Sequence, residues 1–275
     1  QSEPYAFFQN DQLSRWNNDR MTWEAFESDT EARQYFRPEK RGKKKSVYAM
    51  DNWSTETVGP LLVRDSLAFI DRHVAENGKE KPFFIHYCSQ AGHSPYVPPV
   101  AFNPNDPLNT SDLAAPGAVA IAGQTVNKRT DMILEADVAL GLFIEKLTEL
   151  GIMEETLILF TSDNGAAVGP SSTWSNPIYR DVKDDIPYGG DRLEVSAQNP
   201  QVVHRNAQGV ADDGSPLRGE KGFVYEGGHR IPFIVRWDNG IPANHVVRDQ
   251  LIGLHDVFAT IATIAGVRLD ADQAH

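Results

Sequence analysis

Leu157-Ile158-Leu159-Phe160-Thr161-Ser162-Asp163-Asn164-Gly165 is the stretch on which the fold turns. An uncharged apolar run breaks abruptly into polar, turn-forming residues, the pattern of a buried parallel strand at its carboxyl end. Phe83-Phe84-Ile85-His86-Tyr87-Cys88-Ser89-Gln90-Ala91-Gly92-His93-Ser94-Pro95 shows the same pattern earlier in the chain. In an open α/β sheet, ligands bind in the crevice beyond the carboxyl ends of the strands. Those two ends supply His93, Asp163 and Asn164, and a later glycine-flanked loop, Leu217-Arg218-Gly219-Glu220-Lys221-Gly222, adds Lys221. Together these groups suit a hard cation beside an anionic substrate.

Outward from these segments, the pattern alternates helix and strand. Ser54 is a candidate N-cap for a helix to about Glu76, with Leu61, Leu62, Leu67, Phe69, Ile70 and Val74 as its apolar positions and Asn77-Gly78 as its stop. A strand over Phe83 to Cys88 follows, then an extended loop imposed by Pro95, Pro98, Pro99, Pro104 and Pro107. Ile133, Ala136, Leu140, Phe143, Leu147 and Leu150 alternate spacings of three and four, which predicts a second helix from about Asn127 to Leu150, stopped by Gly151. A strand over Thr156 to Ser162 comes next. This rhythm predicts βαβ units and a mainly parallel sheet, an α/β fold. The last third reads as a strand over Ile231 to Trp237, the apolar segment Leu251 to Leu254, and a helix from about Asp256 to Ala265 closed by Gly266.

Two regions carry no such period. The first fifty residues are rich in aromatics, among them Tyr5, Phe7, Phe8, Trp16, Trp23, Phe26, Tyr35 and Phe36, and read as an irregular excursion over the domain surface. Within them, Arg37, Lys40, Arg41, Lys43, Lys44 and Lys45 form a basic run, a solvated loop by the plain reading and a dock for a sulfated or phosphorylated polymer by the sharper one. Gly165 to Pro216 lacks any helical or strand pattern, and a loop that long inside a compact domain is functional or disordered.

The bulk numbers set bounds on function. The chain has 275 residues, enough for one large α/β domain or most of one. Its 38 acidic and 26 basic residues give a net charge of −12, which argues against a general nucleic-acid binder. A single cysteine, Cys88, excludes an internal disulfide framework and a Cys-based zinc cluster. No apolar run is long enough to span a bilayer and no apolar signal segment is present. Because the chain opens on Gln1, the expectation is that processing or truncation removed the start.

Each candidate has a plain alternative. Asp163 and Asn164 can turn toward one centre once the strand breaks, and a carboxylate with an amide carbonyl suits Ca²⁺ or Mg²⁺ better than zinc. The same tripeptide makes an ordinary Asx turn. His93 can donate to an anion or protonate a leaving oxygen, or simply bond a backbone carbonyl. Lys221 stands where absent side chains let an anion approach, or is a surface lysine. Cys88 ends an apolar run and reads as a buried, inert thiol, with His86 on the same face. No Gly-x-Ser-x-Gly elbow, Walker loop or His-Glu-x-x-His is present.

Taken in order, three segments resemble the formylglycine-dependent sulfatases of the alkaline phosphatase superfamily. Pro82-Phe83-Phe84-Ile85 leading to Ala91-Gly92-His93-Ser94-Pro95 resembles their middle motif, and Thr161-Ser162-Asp163-Asn164-Gly165 their second metal-binding strand end. Leu217-Arg218-Gly219-Glu220-Lys221-Gly222 with Glu226-Gly227-Gly228-His229-Arg230-Ile231-Pro232-Phe233 is similar to their late substrate-binding loop. Asp249-Gln250-Leu251-Ile252-Gly253-Leu254 and Ile264-Ala265-Gly266-Val267 extend the likeness, which runs from about Trp53 to Val267.

That resemblance implies an alkaline-phosphatase-like fold, a large mixed and mainly parallel sheet flanked by helices. It implies a sulfuric ester hydrolase in which His93 and Lys221 contact the substrate, Asp163 and Asn164 give half the ligands of one Ca²⁺ (Mg²⁺ the second choice), and Glu226 and Arg230 brace the loop. The expected partner is a sulfated small molecule or sulfated carbohydrate, with no nucleic acid and no membrane span, in an extracytoplasmic setting, periplasmic or secreted. The family's nucleophile arises in a Cys/Ser-x-Pro/Ala-x-Arg motif, absent from this chain, as are the upstream Asp pair and Lys-x-His segment. Residues 1–275 are therefore expected to be a single partial catalytic domain, lacking the upstream nucleophile and metal segment and the C-terminal subdomain, and inactive alone. A formylglycine upstream would attack sulfur and expel the alcohol. Two readings compete: a phosphodiesterase or phosphonate-ester hydrolase of the same superfamily, and a non-catalytic binder of sulfated glycans.

Overall fold

The computed structural model describes residues 7–9, 12–17, 22–28, 30–31, 34–41, 45–50, 53–93, 96–125, 127–165, 221, 224–242 and 250–269. The chain divides into two compact units, Gln1–Phe143 and Ile144–His275.

The first unit opens with strands. β1 (Phe7–Gln9), β2 (Gln12–Asn17) and β3 (Thr22–Ala25) make an antiparallel meander whose backbone register pairs Phe8 with Leu13 and Trp16 with Trp23. β4 (Phe36–Arg41) and β5 (Lys45–Met50) pair antiparallel from Phe36↔Met50 to Arg41↔Lys45. Among the described residues the opening fifty are thus not irregular, and Arg37, Lys40, Arg41 and Lys45 of the basic run lie on paired strands and not in a plain loop, while Lys43 and Lys44 lie outside the described residues. Pairing satisfies the backbone groups of both runs.

α1 (Thr55–Asn77) starts and stops where its sequence says. Ser54 is the N-cap residue in extended geometry, yet its hydroxyl makes no capping bond. Instead Thr57 donates its N–H and its hydroxyl to the Ser54 carbonyl at 3.2 and 2.8 Å. Gly78 closes the helix at φ 78°, a left-handed value glycine adopts without a Cβ clash.

Residues 83–88 form no ladder among the described residues, so the expected strand is an extended segment. Its exposure alternates as a strand's does: Phe83, Ile85 and Tyr87 are half-buried, while Phe84, His86 and Cys88 are exposed. The inner face is held by rings, Phe83 against Phe69 and His73 of α1, and Tyr87 edge-on to Phe143 at 5.1 Å. The proline-rich stretch also folds more than expected. β6 (Ala101–Phe102) pairs with β7 (Val119–Ala120), and this plants Phe102, fully buried, in a core with Val63, Ile121 and Ala139.

α2 (Lys128–Glu149) closes the first unit and leads into the second. Its amino end is tied down by Asn127, whose Oδ1 accepts the Thr130 N–H at 3.0 Å. The buried Asp131 accepts the N–H groups of Gly123 and Thr125, both at 2.8 Å. The buried stripe is rotated from the one its apolar spacing predicts. Met132, Glu135 and Ala139 are buried, whereas Ile133 is 47% exposed.

In the second unit, Gly151 at φ 66° ends α2, with Gly151 N–H to Thr148 O and Ile152 N–H to Leu147 O both at 2.9 Å, the paired bonds of a Schellman motif. β8 (Ile158–Thr161) pairs antiparallel with β9 (Phe233–Arg236), from Ile158↔Arg236 to Thr161↔Phe233. A helical turn, α3 (Glu226–His229), precedes β9. α4 (Leu254–Ile264) ends in a second Schellman motif at Gly266, φ 72°. Every ladder among the described residues is antiparallel, so the expected parallel pairing is not among them. Antiparallel neighbours need only a turn or a return loop, while parallel ones need distant partners brought alongside.

Candidate functional site

Strand β8 gives out at Thr161, and the next three residues form a tight turn. Ser162 Oγ donates to the Asn164 carbonyl at 3.0 Å, and Gly165 donates its N–H to the Gly228 carbonyl at 2.9 Å. Asp163 is exposed at the tip, Asn164 half-buried and Gly165 buried. A Cβ on Gly165 would lie 1.9 Å from the Gly227 carbonyl oxygen, so glycine is required there for close approach of two backbones. The turn bearing Asp163 and Asn164 is thereby fastened to α3.

α3 is itself braced. Glu226 Oε2 lies 3.6 Å from Arg230 Nη1, and the Arg230 N–H bonds the Glu226 carbonyl at 2.7 Å. Both side chains are largely exposed, so theirs is a surface ion pair of small worth. His229 Nε2 lies 3.1 Å from the Val224 carbonyl. Lys221 is half-buried in a turn just before this segment, while Arg218, Gly219, Glu220 and Gly222 lie outside the described residues, as do residues 166–216, where the sequence predicts a long loop.

His93 belongs to the first unit. It is exposed at the end of the 90–93 turn, where its N–H bonds the Gln90 carbonyl at 3.1 Å and Gly92 sits at φ 74°. Positive φ at the third position is what a type II turn demands, which explains the glycine before the histidine. Ser94 and Pro95 lie outside the described residues. Among the described residues, no group of three or more His, Cys, Asp or Glu side chains is placed to hold a metal ion.

Cys88 differs from its sequence reading. It is exposed, not buried, with Sγ 3.5 Å from His86 Nε2. The helices take the odd-numbered face of the extended segment, so the even-numbered residues, Cys88 included, turn outward together.

Glu135 went unread in the sequence. It is 2% exposed in the middle of α2, and burial pushes its carboxyl up to about 7, against an opposing hydrogen bond from the Gln90 side chain. Burial, and then the nearby Glu135 charge, push the Tyr87 phenol well above its ordinary range. On α1, Gly59 makes the room: a Cβ there would lie 1.8 Å from Glu135 Oε1. The available signal was that Met132, Glu135 and Ala139 also follow a helical spacing, one that a search for apolar residues alone passes over.

The mixture of helices and strands, the strand end carrying Asp163 and Asn164, and the glycine-rich turn bonded to it define an alkaline-phosphatase-like α/β protein. The chain belongs to the sulfatase family, whose model matches residues 5–267. The match takes in β1 to β5, well before the first motif the sequence offered.

Relatives agree. The chain is 28% identical over 222 residues to an N-acetylgalactosamine-6-O-sulfatase of Bacteroides thetaiotaomicron, covering 81% of this chain and 33% of that protein. It is 32% identical over 167 residues to the steryl-sulfatase of Mus musculus, covering 60% of this chain and 21% of the other. A solved structure from work on the metabolism of multiple glycosaminoglycans by Bacteroides thetaiotaomicron superposes with a TM-score of 0.52 at 25% identity, covering 83% of this chain and 38% of that one. The chain spans about a third of the length of the first of these relatives. Among the described residues, no helix is long and apolar enough to cross a membrane.

Proposed function

We propose that residues 1–275 are part of one sulfatase catalytic domain that hydrolyses a sulfate monoester, with a sulfated carbohydrate as the substrate class. The observation that carries this reading is the bond between the Asp163-Asn164-Gly165 turn and Gly228, which joins two of the three family-like segments within one family match. The carbohydrate preference follows the relative that acts, by its name, on a sulfated N-acetylgalactosamine. An extracytoplasmic setting goes with the same reading.

Each residue then has a role. Asp163 and Asn164 offer a carboxylate and an amide oxygen from one turn, a donor pair that fits Ca²⁺ and supplies half of its protein ligands. Bound there, the ion would place positive charge against the sulfate. Lys221 adds a second positive charge toward a sulfate oxygen, and His93 donates to the sulfate or the leaving oxygen. The nucleophile in this reading is a formylglycine, made from a Cys-x-Pro-x-Arg or related motif that these 275 residues do not contain.

The test uses the whole protein and three ester classes: a sulfate monoester, a phosphate diester and a phosphonate ester. Preferential sulfate release, lost by about 10²–10³-fold in kcat/KM in Lys221→Ala and changed about twofold at most in Arg41→Ala, is the expected result. Preference for the phosphate diester would favour the phosphodiesterase reading. Binding of a sulfated glycan without turnover would favour a binder.

A further inference from the structure

Arg37, Lys40, Arg41 and Lys45 stand on the two strands of one sheet, β4 and β5, and the proposed chemistry uses none of them. The register fixes how they are grouped. Arg37 pairs with Ala49, Glu39 with Val47 and Arg41 with Lys45, and residues two apart on a strand share a face. Positions 37, 39, 41, 45, 47 and 49 therefore lie on one face of the ladder, and 36, 38, 40, 46, 48 and 50 on the other. The first face gathers Arg37, Arg41 and Lys45 with a single acidic residue, Glu39. The second has Lys40 as its one charge.

That grouping carries a cost. Like charges directly opposite one another weaken an antiparallel pair, and the last pair of this ladder is Arg41 with Lys45. Glu39 is paired with Val47, so no acidic residue stands directly opposite any of the three cations. The run is also out of keeping with the rest of the sequence. Residues 37–45 hold six basic residues and one acidic one in a chain whose net charge is −12. A polyanion is repelled by a chain of that charge unless one surface is locally positive.

We propose that the face of the β4–β5 ladder bearing Arg37, Arg41 and Lys45 is a binding site for a sulfated polysaccharide chain. The choice of polymer rests on the reading of the substrate as a sulfated carbohydrate. Arginine forks take anionic oxygens two at a time, and a lysine adds a point charge. Arg37 and Arg41 are four residues apart, about 13 Å along an extended strand. A small monoester with one sulfate does not span that distance, whereas a chain with repeated sulfates does. An anion held over Arg41 and Lys45 also offsets their mutual repulsion. Nucleic acid is the competing polyanion; membership of the sulfatase family favours the sulfated chain.

The experiment is calorimetric titration of the 275-residue chain over a range of salt concentrations with three probes. They are a glycosaminoglycan sulfated on its galactosamine units, the same polymer desulfated, and single-stranded DNA of matched charge. The sulfated polymer should bind best, with affinity falling as salt rises. Arg37→Ala, Arg41→Ala and Lys45→Ala combined should weaken it about tenfold or more and lower the salt slope by about 1 per charge removed. Lys45→Glu separates binding from folding. It turns a like pair into an opposite one, so the melting temperature should hold or rise while affinity for the sulfated polymer falls. Unchanged affinity in the combined variant, or DNA bound as tightly as the sulfated polymer, overturns the site. So does a Lys45→Glu chain that loses melting temperature and affinity together. Should the whole protein prefer a phosphate diester, the sulfatase reading fails, while dependence of sulfated-polymer binding on the three cations still decides the site.

Discussion

Gly165 gives its backbone N–H to the carbonyl of Gly228 at 2.9 Å, so the turn presenting Asp163 and Asn164 is bonded to the helical turn that precedes β9. The two segments are more than sixty residues apart in the chain and carry separate sequence signatures. Their junction is backbone on backbone, with no side chain to absorb an intrusion. That makes the position of the proposed metal ligands depend on two glycines.

Gly165→Ala should accordingly be among the most disruptive single-atom-group changes in the second unit. The new Cβ would meet the Gly227 oxygen at 1.9 Å, so one of the two turns must move. Overpacking of this kind costs about 1–3 kcal/mol. Thermal unfolding of the variant should show a clear fall in melting temperature; an unchanged value would mean the two turns are not held together in solution.

Why some of this was legible and some not has a physical pattern. Local signals worked: Gly78, Gly151 and Gly266 end their helices at positive φ, as glycine stops should. The apolar-to-polar break at Thr161 and Ser162 located a real strand end. Pairing was not legible, because residues 83–88 look the same whether or not a neighbour completes the ladder, and the basic run at 37–45 hid a hairpin under its charge. Burial of a polar residue was also hidden. Glu135 stands where an apolar residue is expected, and only the fold shows Gly59 and Gln90 around it.

Calcium binding should depend on both residues of the turn. In the whole protein, Ca²⁺ over chelator should raise the melting temperature, since a ligand that binds the native state stabilises it by mass action. Asp163→Ala and Asn164→Ala should each remove most of that rise, Asp163→Ala the more, because it takes away a charge as well as a donor. A full rise in both variants would place the ion elsewhere.

The 275-residue chain by itself should hydrolyse no aryl sulfate above background. It has Asp163, Asn164, His93 and Lys221 but no nucleophile motif, and losing a covalent nucleophile removes several orders of magnitude in rate. Cys88 is the residue that would break this expectation, being exposed and 3.5 Å from His86 Nε2. Turnover by the chain that disappears in Cys88→Ala would transfer the nucleophile role to it.

Gly59→Ala should be costly for a different reason than Gly165→Ala. Its Cβ would strike the end of a side chain, Glu135 Oε1 at 1.8 Å, in place of backbone. The loss should therefore shrink when Glu135 is also shortened to Ala, and a double-mutant cycle should give a coupling of about 0.5–3 kcal/mol. Strict additivity of the two changes would show that the residues do not touch.

The stability of Glu135→Gln relative to wild type should depend on pH with a defined sign. In the native protein the Glu135 carboxyl is raised from 4.5 to about 7, so between those values the folded state holds a proton that the unfolded state has released. Stability from this group is complete below about pH 4.5 and is lost as pH rises through about 7. At 1.36 kcal/mol per unit, the loss amounts to roughly 3 kcal/mol by pH 8. Glutamine carries no proton to lose, so the variant should match wild type at pH 5 to within about 1 kcal/mol and exceed it at pH 8 by up to roughly 3 kcal/mol. Urea unfolding at the two pH values measures both differences. An equal difference at pH 5 and pH 8 would show that Glu135 ionises as an exposed glutamate does.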